Sequence, residues 1–122
     1  DYLLGVATGK ARRGLDRVLK ETELTHVFDA TRCADEAPSK PHPQMLLDIM
    51  ERLDVAPEQT LMVGDTEYDM EMATNAGAGK IAVRTGVHSE ERLRRHDPLV
   101  CLQRLADMPM WLSETGLAIT RD

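Results

Sequence analysis

The chain has 122 residues, a formal net charge of −6, a hydrophobic fraction of 42% and only 3% aromatics. That length holds one domain at most, with a core built from aliphatic side chains and seven methionines. The acidic balance argues against nucleic acid or an anionic membrane as partner. It leaves room for a phosphorylated substrate, because a bound cation and a few lysines override the net sign locally.

No stretch reads as a signal peptide or is apolar for long enough to span a bilayer. Cys33 and Cys101 lie far apart and form no CxxC motif. Both read as free thiols, which makes a reducing, cytoplasmic setting the expectation.

In chain order, residues 1–10 are nearly continuous apolar sequence closing on Thr8-Gly9-Lys10. They predict a buried parallel strand and a turn. Ala11, Leu15, Val18 and Leu19 recur at helical spacing, so a helix is expected from about Lys10 to Thr22. A short second strand is expected over His26-Val27-Phe28-Asp29. Thr31 to His42, with Pro38 and Pro41, reads as a surface loop. Pro43 suits a first helical position, and Leu46, Ile49, Met50 and Leu53 form one apolar face of a helix ending near Asp54.

Leu61 to Val63 then read as a buried strand ending in Gly64. Asp65 falls in the turn that follows, and Asp69 in the first turn of a helix that closes on Gly77. Lys80 to Arg84 predict a fourth strand. Ser89 is expected to cap a short helix through His96, Leu99 to Leu102 to form a weak edge strand, and Leu105 to Leu112 a last helix with Pro109 near its start. The organisation expected is one domain over 1–115 and a loose tail over 116–122.

Strands alternating with helices imply βαβ units and a mostly parallel sheet in an α/β fold. Thr8, Asp29, Asp65 and Thr85 should then collect at the carboxyl edge, where open α/β sheets bind ligands. Asp65 and Asp69 would repel each other there unless a hard cation such as Mg2+ lies between them, although acids also favour a helix N-terminus for its dipole alone. Thr8 and Gly9 offer a hydroxyl and a free amide to an anion. The order of glycine and lysine in Gly9-Lys10 excludes a Walker A loop. Lys40, in Ser39-Lys40-Pro41-His42-Pro43, would place an ammonium beside such a site; at ~4 Å and an effective dielectric near 20, a unit pair is worth about 4 kcal/mol before desolvation. His26, His42, His88 and His96 show no metal spacing and read as incidental, and Arg92, Arg94 and Arg95 as a solvated helix face.

Taken in order, the strand ending in Thr8, Lys40 in its Lys-Pro-x-Pro setting, and Gly64-Asp65-x-x-x-Asp69 resemble motifs II, III and IV of the haloacid dehalogenase-like (HAD) hydrolases. The resemblance runs from about Tyr2 to Gly86 and looks closest to phosphoglycolate phosphatase-like members. It implies a Rossmann-like α/β/α sandwich and a Mg2+-dependent phosphatase acting on a small phosphorylated metabolite through an aspartyl-phosphate. It also implies that Thr8 and Gly9 bind the phosphoryl group, that Lys40 neutralises it and orients the nucleophile, that Asp65 ligates Mg2+, and that Asp69 holds a metal-bound water or supports Lys40.

The family's first motif, Asp-x-Asp, has no counterpart here, and neither has its cap. The chain is therefore expected to be a C-terminal part of such an enzyme, lacking the nucleophile and the central first strand and inactive alone. The gap between the strands ending at Thr8 and Asp65 should be closed by their direct pairing, by a missing N-terminal segment or by a second copy. Two alternatives remain: a phosphomutase of the same family, resembling beta-phosphoglucomutase, and a binding or assembly module that kept the fold.

Overall fold

A computed structural model of the chain describes residues 2–115, so the expected tail over 116–122 lies outside the described residues. Five strands and five helices alternate: β1 (Gly5–Ala7), α1 (Arg12–Glu21), β2 (Ala30–Arg32), α2 (Gln44–Leu53), β3 (Leu61–Gly64), α3 (Glu67–Ala76), β4 (Gly79–Val83), α4 (Glu90–Arg94), β5 (Val100–Leu102) and α5 (Met108–Thr115). All strand pairs among the described residues are parallel, as the βαβ alternation requires.

The strands form two sheets, β1-β2 and β3-β4-β5, with β4 in the middle of the second. β1 and β3 do not pair, which corrects the expectation that these two strands close the gap between them by bonding directly. The sheets are joined by side chains instead. Met45, Leu46 and Met50 of α2 pack with Met62 of β3 and with Met72, Ala73 and Ala76 of α3, and Ala7 of β1 lies against the same cluster. On β1, Val6 packs with Leu15, Leu19 and Cys33. Since successive strand residues face opposite sides, α1 and α2 cover opposite faces of the β1-β2 sheet.

The first strand is parallel but not buried as expected: Tyr2, Leu3 and Leu4 are 47%, 54% and 42% exposed. Among the described residues β1 pairs with β2 on one side only, so this apolar stretch is covered on few sides. The second strand also sits later than the sequence suggests, at Ala30–Arg32 in place of His26–Asp29. A turn from Leu24 to Val27 and the packing of Phe28 on the α1 cluster use up the earlier residues. Asp29 then clamps Leu4 twice, donating its N–H to the Leu4 carbonyl and accepting the Leu4 N–H on Oδ2, both at 2.7 Å. Asp29 thus stands at the amino end of β2, away from the edge that carries Thr8.

The other elements follow their local signals. Asp54 closes α2 in the left-handed region (φ 55°), Gly77 closes α3 at φ 80°, and Pro109 is the second residue of α5. Pro43 is the cap of α2, one position before its first helical residue.

Native-state hydrogen exchange provides a check on the two-sheet arrangement. The amides of Lys80 to Val83, in the doubly flanked strand, are expected to exchange slowest, and those of Gly5 to Ala7 much faster. Equal protection of β1 and β4 would show that β1 has a second neighbour in solution.

Candidate active site

The site is built at the carboxyl end of β3. Thr66 caps α3 through a reciprocal pair: its Oγ1 accepts the Asp69 N–H (3.2 Å), and Asp69 Oδ2 accepts the Thr66 N–H (3.2 Å) and hydroxyl (2.9 Å). That capping places Asp69 in the first turn and buries it to 4% exposure, making it the buried charged residue among the described ones.

A buried carboxylate needs a counter-charge, and Lys40 supplies it from the loop ahead of α2, with Nζ 2.6 Å from Asp69 Oδ1. The Lys40-Pro41 peptide is cis, and the Pro41 carbonyl accepts from Asn75 Nδ2 at 3.2 Å, tying this loop to α3. Lys40 and Asp69 are therefore brought together, and the hydrogen bond of Asp65 goes to a different partner. Asp65 is half-buried at the strand tip, where Oδ2 accepts the Thr85 hydroxyl at 3.0 Å.

Gly64 makes this packing possible. A Cβ there would lie 2.2 Å from the Asp69 Cβ and 2.6 Å from Oδ2. No backbone twist demands this glycine; the closeness of the Asp69 side chain does.

Thr8 and Gly9 occupy the end of β1. Thr8 donates its N–H to the Arg32 carbonyl and accepts the Lys10 N–H on Oγ1, both at 3.1 Å, while Gly9 is exposed with open space around it. The adjoining loop is fixed by Arg12, which donates to Glu36, Asp16 and both Thr31 oxygens, and by Asp35, whose Oδ1 accepts the Arg12 N–H. Hydrogen bonding from Arg12 holds the Glu36 carboxyl below the ordinary carboxylate range, reinforced by the Cys33 N–H.

His88 and His96, read as incidental in the sequence, and Arg92, read there as part of a solvated helix face, hold Glu67 at the start of α3. The Glu67 carboxylate takes Arg92 at 2.5 Å and 2.6 Å and His96 Nε2 at 3.0 Å, and the Glu67 N–H donates to His88 Nδ1 at 2.9 Å. Arg92 is partly exposed and ion-paired to Glu67, while Arg94 and Arg95 lie on the surface in pairs with Glu90 and Glu91. The spacing Arg92-x-x-x-His96 was the available signal; their partner Glu67, 25 residues upstream of Arg92, carried none.

Among the described residues no group of three or more His, Cys, Asp and Glu is arranged to hold a metal ion. The donors present still fit Mg2+, which is bound through one or two carboxylates, its remaining positions filled by water and phosphate oxygens. Asp65 keeps Oδ1 for such a cation, while both oxygens of Asp69 are engaged by Lys40 and Thr66.

Two measurements test this arrangement. Gly64→Ala should cost roughly 1–3 kcal/mol in chemical denaturation, because Asp69 must move off its cap; an unchanged midpoint would show that the close approach is dispensable. Glu36, lowered in the folded state, contributes stability that is complete above its unfolded pKa of about 4.3. That contribution is lost as pH falls through the folded value. Glu36→Gln should therefore flatten the acid limb of the stability curve.

A family model described as haloacid dehalogenase-like hydrolase matches residues 1–83. Pyrophosphatase PpaX of Bacillus mycoides is 35% identical over 108 residues, covering 88% of this chain and 50% of that protein. Probable phosphatase IndB of Dickeya dadantii is 37% identical over 108 residues, covering 88% and 47%. A putative haloacid dehalogenase-like hydrolase from Bacteroides fragilis shares the fold, with a TM-score of 0.83 at 23% identity, over 87% of this chain and 51% of that one. The chain spans about half the length of the curated relatives it matches. On the family match, supported by a shared α/β fold, the chain belongs to the haloacid dehalogenase-like hydrolases.

Proposed function

We propose that this chain is the C-terminal part of the catalytic core of a Mg2+-dependent phosphatase acting on a small phosphorylated metabolite. The observation that carries this reading is the half-buried Lys40 held 2.6 Å from the buried Asp69, four residues along from a half-buried Asp65 at a strand tip. A fold needs no ammonium held against a buried carboxylate at its ligand-binding edge; replacing such pairs by apolar residues is often neutral or stabilising. A phosphoryl group needs exactly that kind of fixed positive charge.

In this reading Asp69 holds the Lys40 ammonium so that its remaining N–H groups face the phosphoryl oxygens. Thr8 donates its hydroxyl, and Gly9 its amide, to the same group. Asp65 would hold Mg2+, with Thr85 fixing its carboxylate; when bound, the ion neutralises charge on the transferring phosphoryl group. The nucleophile, an aspartate that becomes phosphorylated, would come from a segment preceding these residues. Its strand would lie between β1 and β3, which do not pair with each other among the described residues. The printed names of the relatives, a pyrophosphatase and a probable phosphatase, favour phosphoryl transfer to water.

The test uses p-nitrophenyl phosphate. The chain alone should show no Mg2+-dependent turnover. Adding the N-terminal portion of the Bacillus mycoides relative that this chain does not match should restore it, and Asp65→Asn should lower the restored rate roughly a hundredfold or more. Robust turnover by the chain alone, abolished by Asp65→Asn, would overturn the divided-site reading.

A further inference from the structure

A second feature adjoins Asp65 and is not used in that chemistry. An open cavity of about 480 Å³ lies past the carboxyl ends of β4 and β5, lined by Arg84, Gly86, His88, Ser89, Glu90, Gln103 and Arg104. Two hydrogen bonds tie it to the acidic corner. Thr85, next to Arg84, donates to Asp65, and His88 Nδ1 accepts the backbone N–H of Glu67.

The second bond fixes the chemistry of His88. A backbone N–H can only donate, so Nδ1 presents its lone pair and the neutral ring carries its proton on Nε2. Tyr68 braces the ring edge-on, with centroids 5.5 Å apart. His88 lines the cavity, and its neutral ring carries the N–H on Nε2.

The rest of the lining has the same polarity. Arg84 pairs with Glu90 through one terminal nitrogen at 3.1 Å, and Arg104 with Asp107 through one at 3.1 Å. Each guanidinium has five N–H donors, so most remain for another acceptor. The single acid in the lining, Glu90, is already held by Arg84 and Arg94. Among the lining side chains donors outnumber free acceptors, and the local charge is positive in a chain whose net charge is −6.

We propose that this cavity is an oxyanion subsite, taking a phosphate or carboxylate group carried by the same molecule whose phosphoryl group meets Asp65. The subsite stands on the lining itself; only the statement that the substrate brings the anion rests on the phosphatase reading. It narrows the substrate class to phosphorylated compounds with a second anionic group. Arg84, Arg104 and His88 are its ligand-binding residues.

Site-resolved NMR titration of the 122-residue chain tests both parts, using inorganic phosphate and the non-hydrolysable diphosphate analogue methylenediphosphonate, each with and without Mg2+. Phosphate is expected to shift the His88 ring and the Arg84 and Arg104 side-chain signals saturably. The double variant Arg84→Gln/Arg104→Gln should weaken that response at least tenfold. Both side chains lie on the surface, so the variant should keep the wild-type amide spectrum elsewhere.

No saturable shift at these three residues, or one indifferent to the double variant, would overturn the subsite. Methylenediphosphonate with Mg2+ should bind at least tenfold tighter than phosphate and shift His88 and Asp65 together. If it binds no tighter, the link to the substrate falls. Shifts at Thr8, Gly9 and Lys40 report the phosphoryl position separately, so failure there counts against the phosphatase reading and leaves the cavity's own result standing.

Discussion

The Asp69 carboxylate is the constraint around which the chain is arranged. Burying a charge without a partner costs far more than a small domain can spare, since such domains are stable by only about 5–15 kcal/mol. Thr66 satisfies one oxygen and Lys40 the other. Each solution imposes structure elsewhere: Thr66 must cap α3, residue 64 must be glycine, and the loop ahead of α2 must reach across to the carboxyl end of β3. That loop is held in turn by Asn75 on Pro41, and its earlier part by the Arg12 and Glu36 network. A single buried acid thus connects α2, α3 and β3.

The same pair, with the Asn75–Pro41 hydrogen bond, is a polar link across the seam between the sheets. Another link is apolar: α2 places Met45, Leu46 and Met50 against side chains from both sides. Methionine suits this position, because an unbranched and polarisable side chain fills irregular space without demanding a shape-matched partner. The chain therefore keeps a continuous core where its backbone ladder is interrupted.

Most of this was legible in the residues. The helical apolar spacings, the glycine after α3 and the acidic pair around Thr66 each has a local physical cause, and each element formed close to where that cause lies. The second strand was misplaced because His26-Val27-Phe28 has the composition of a strand, while tertiary contacts chose a turn and a core contact for it. The exposure of Tyr2 to Leu4 was hidden for a related reason: an apolar run states that burial is favourable, but what covers it depends on neighbours elsewhere. Glu67 with Arg92 and His96 was missed because only the Arg92-x-x-x-His96 spacing hinted at it, and Glu67, far upstream, carried no signal of its own.

The interrupted ladder has a further consequence, for colloidal behaviour. A strand edge without a partner is a template for any extended backbone, and among the described residues β1 and β3 each have one. Selectivity for the proper occupant cannot come from hydrogen bonding, which is the same for every sequence. It has to come from length and shape: the strands flanking the seam run for only three and four residues. On β1, a side chain at Gly5 would come within 2.9 Å of Ile49. Short edges of this kind hold a long apolar segment poorly unless it also fills the space between the helices. The brevity of β1 and β3 thereby limits the chain's tendency to polymerise through its own exposed residues 2–4.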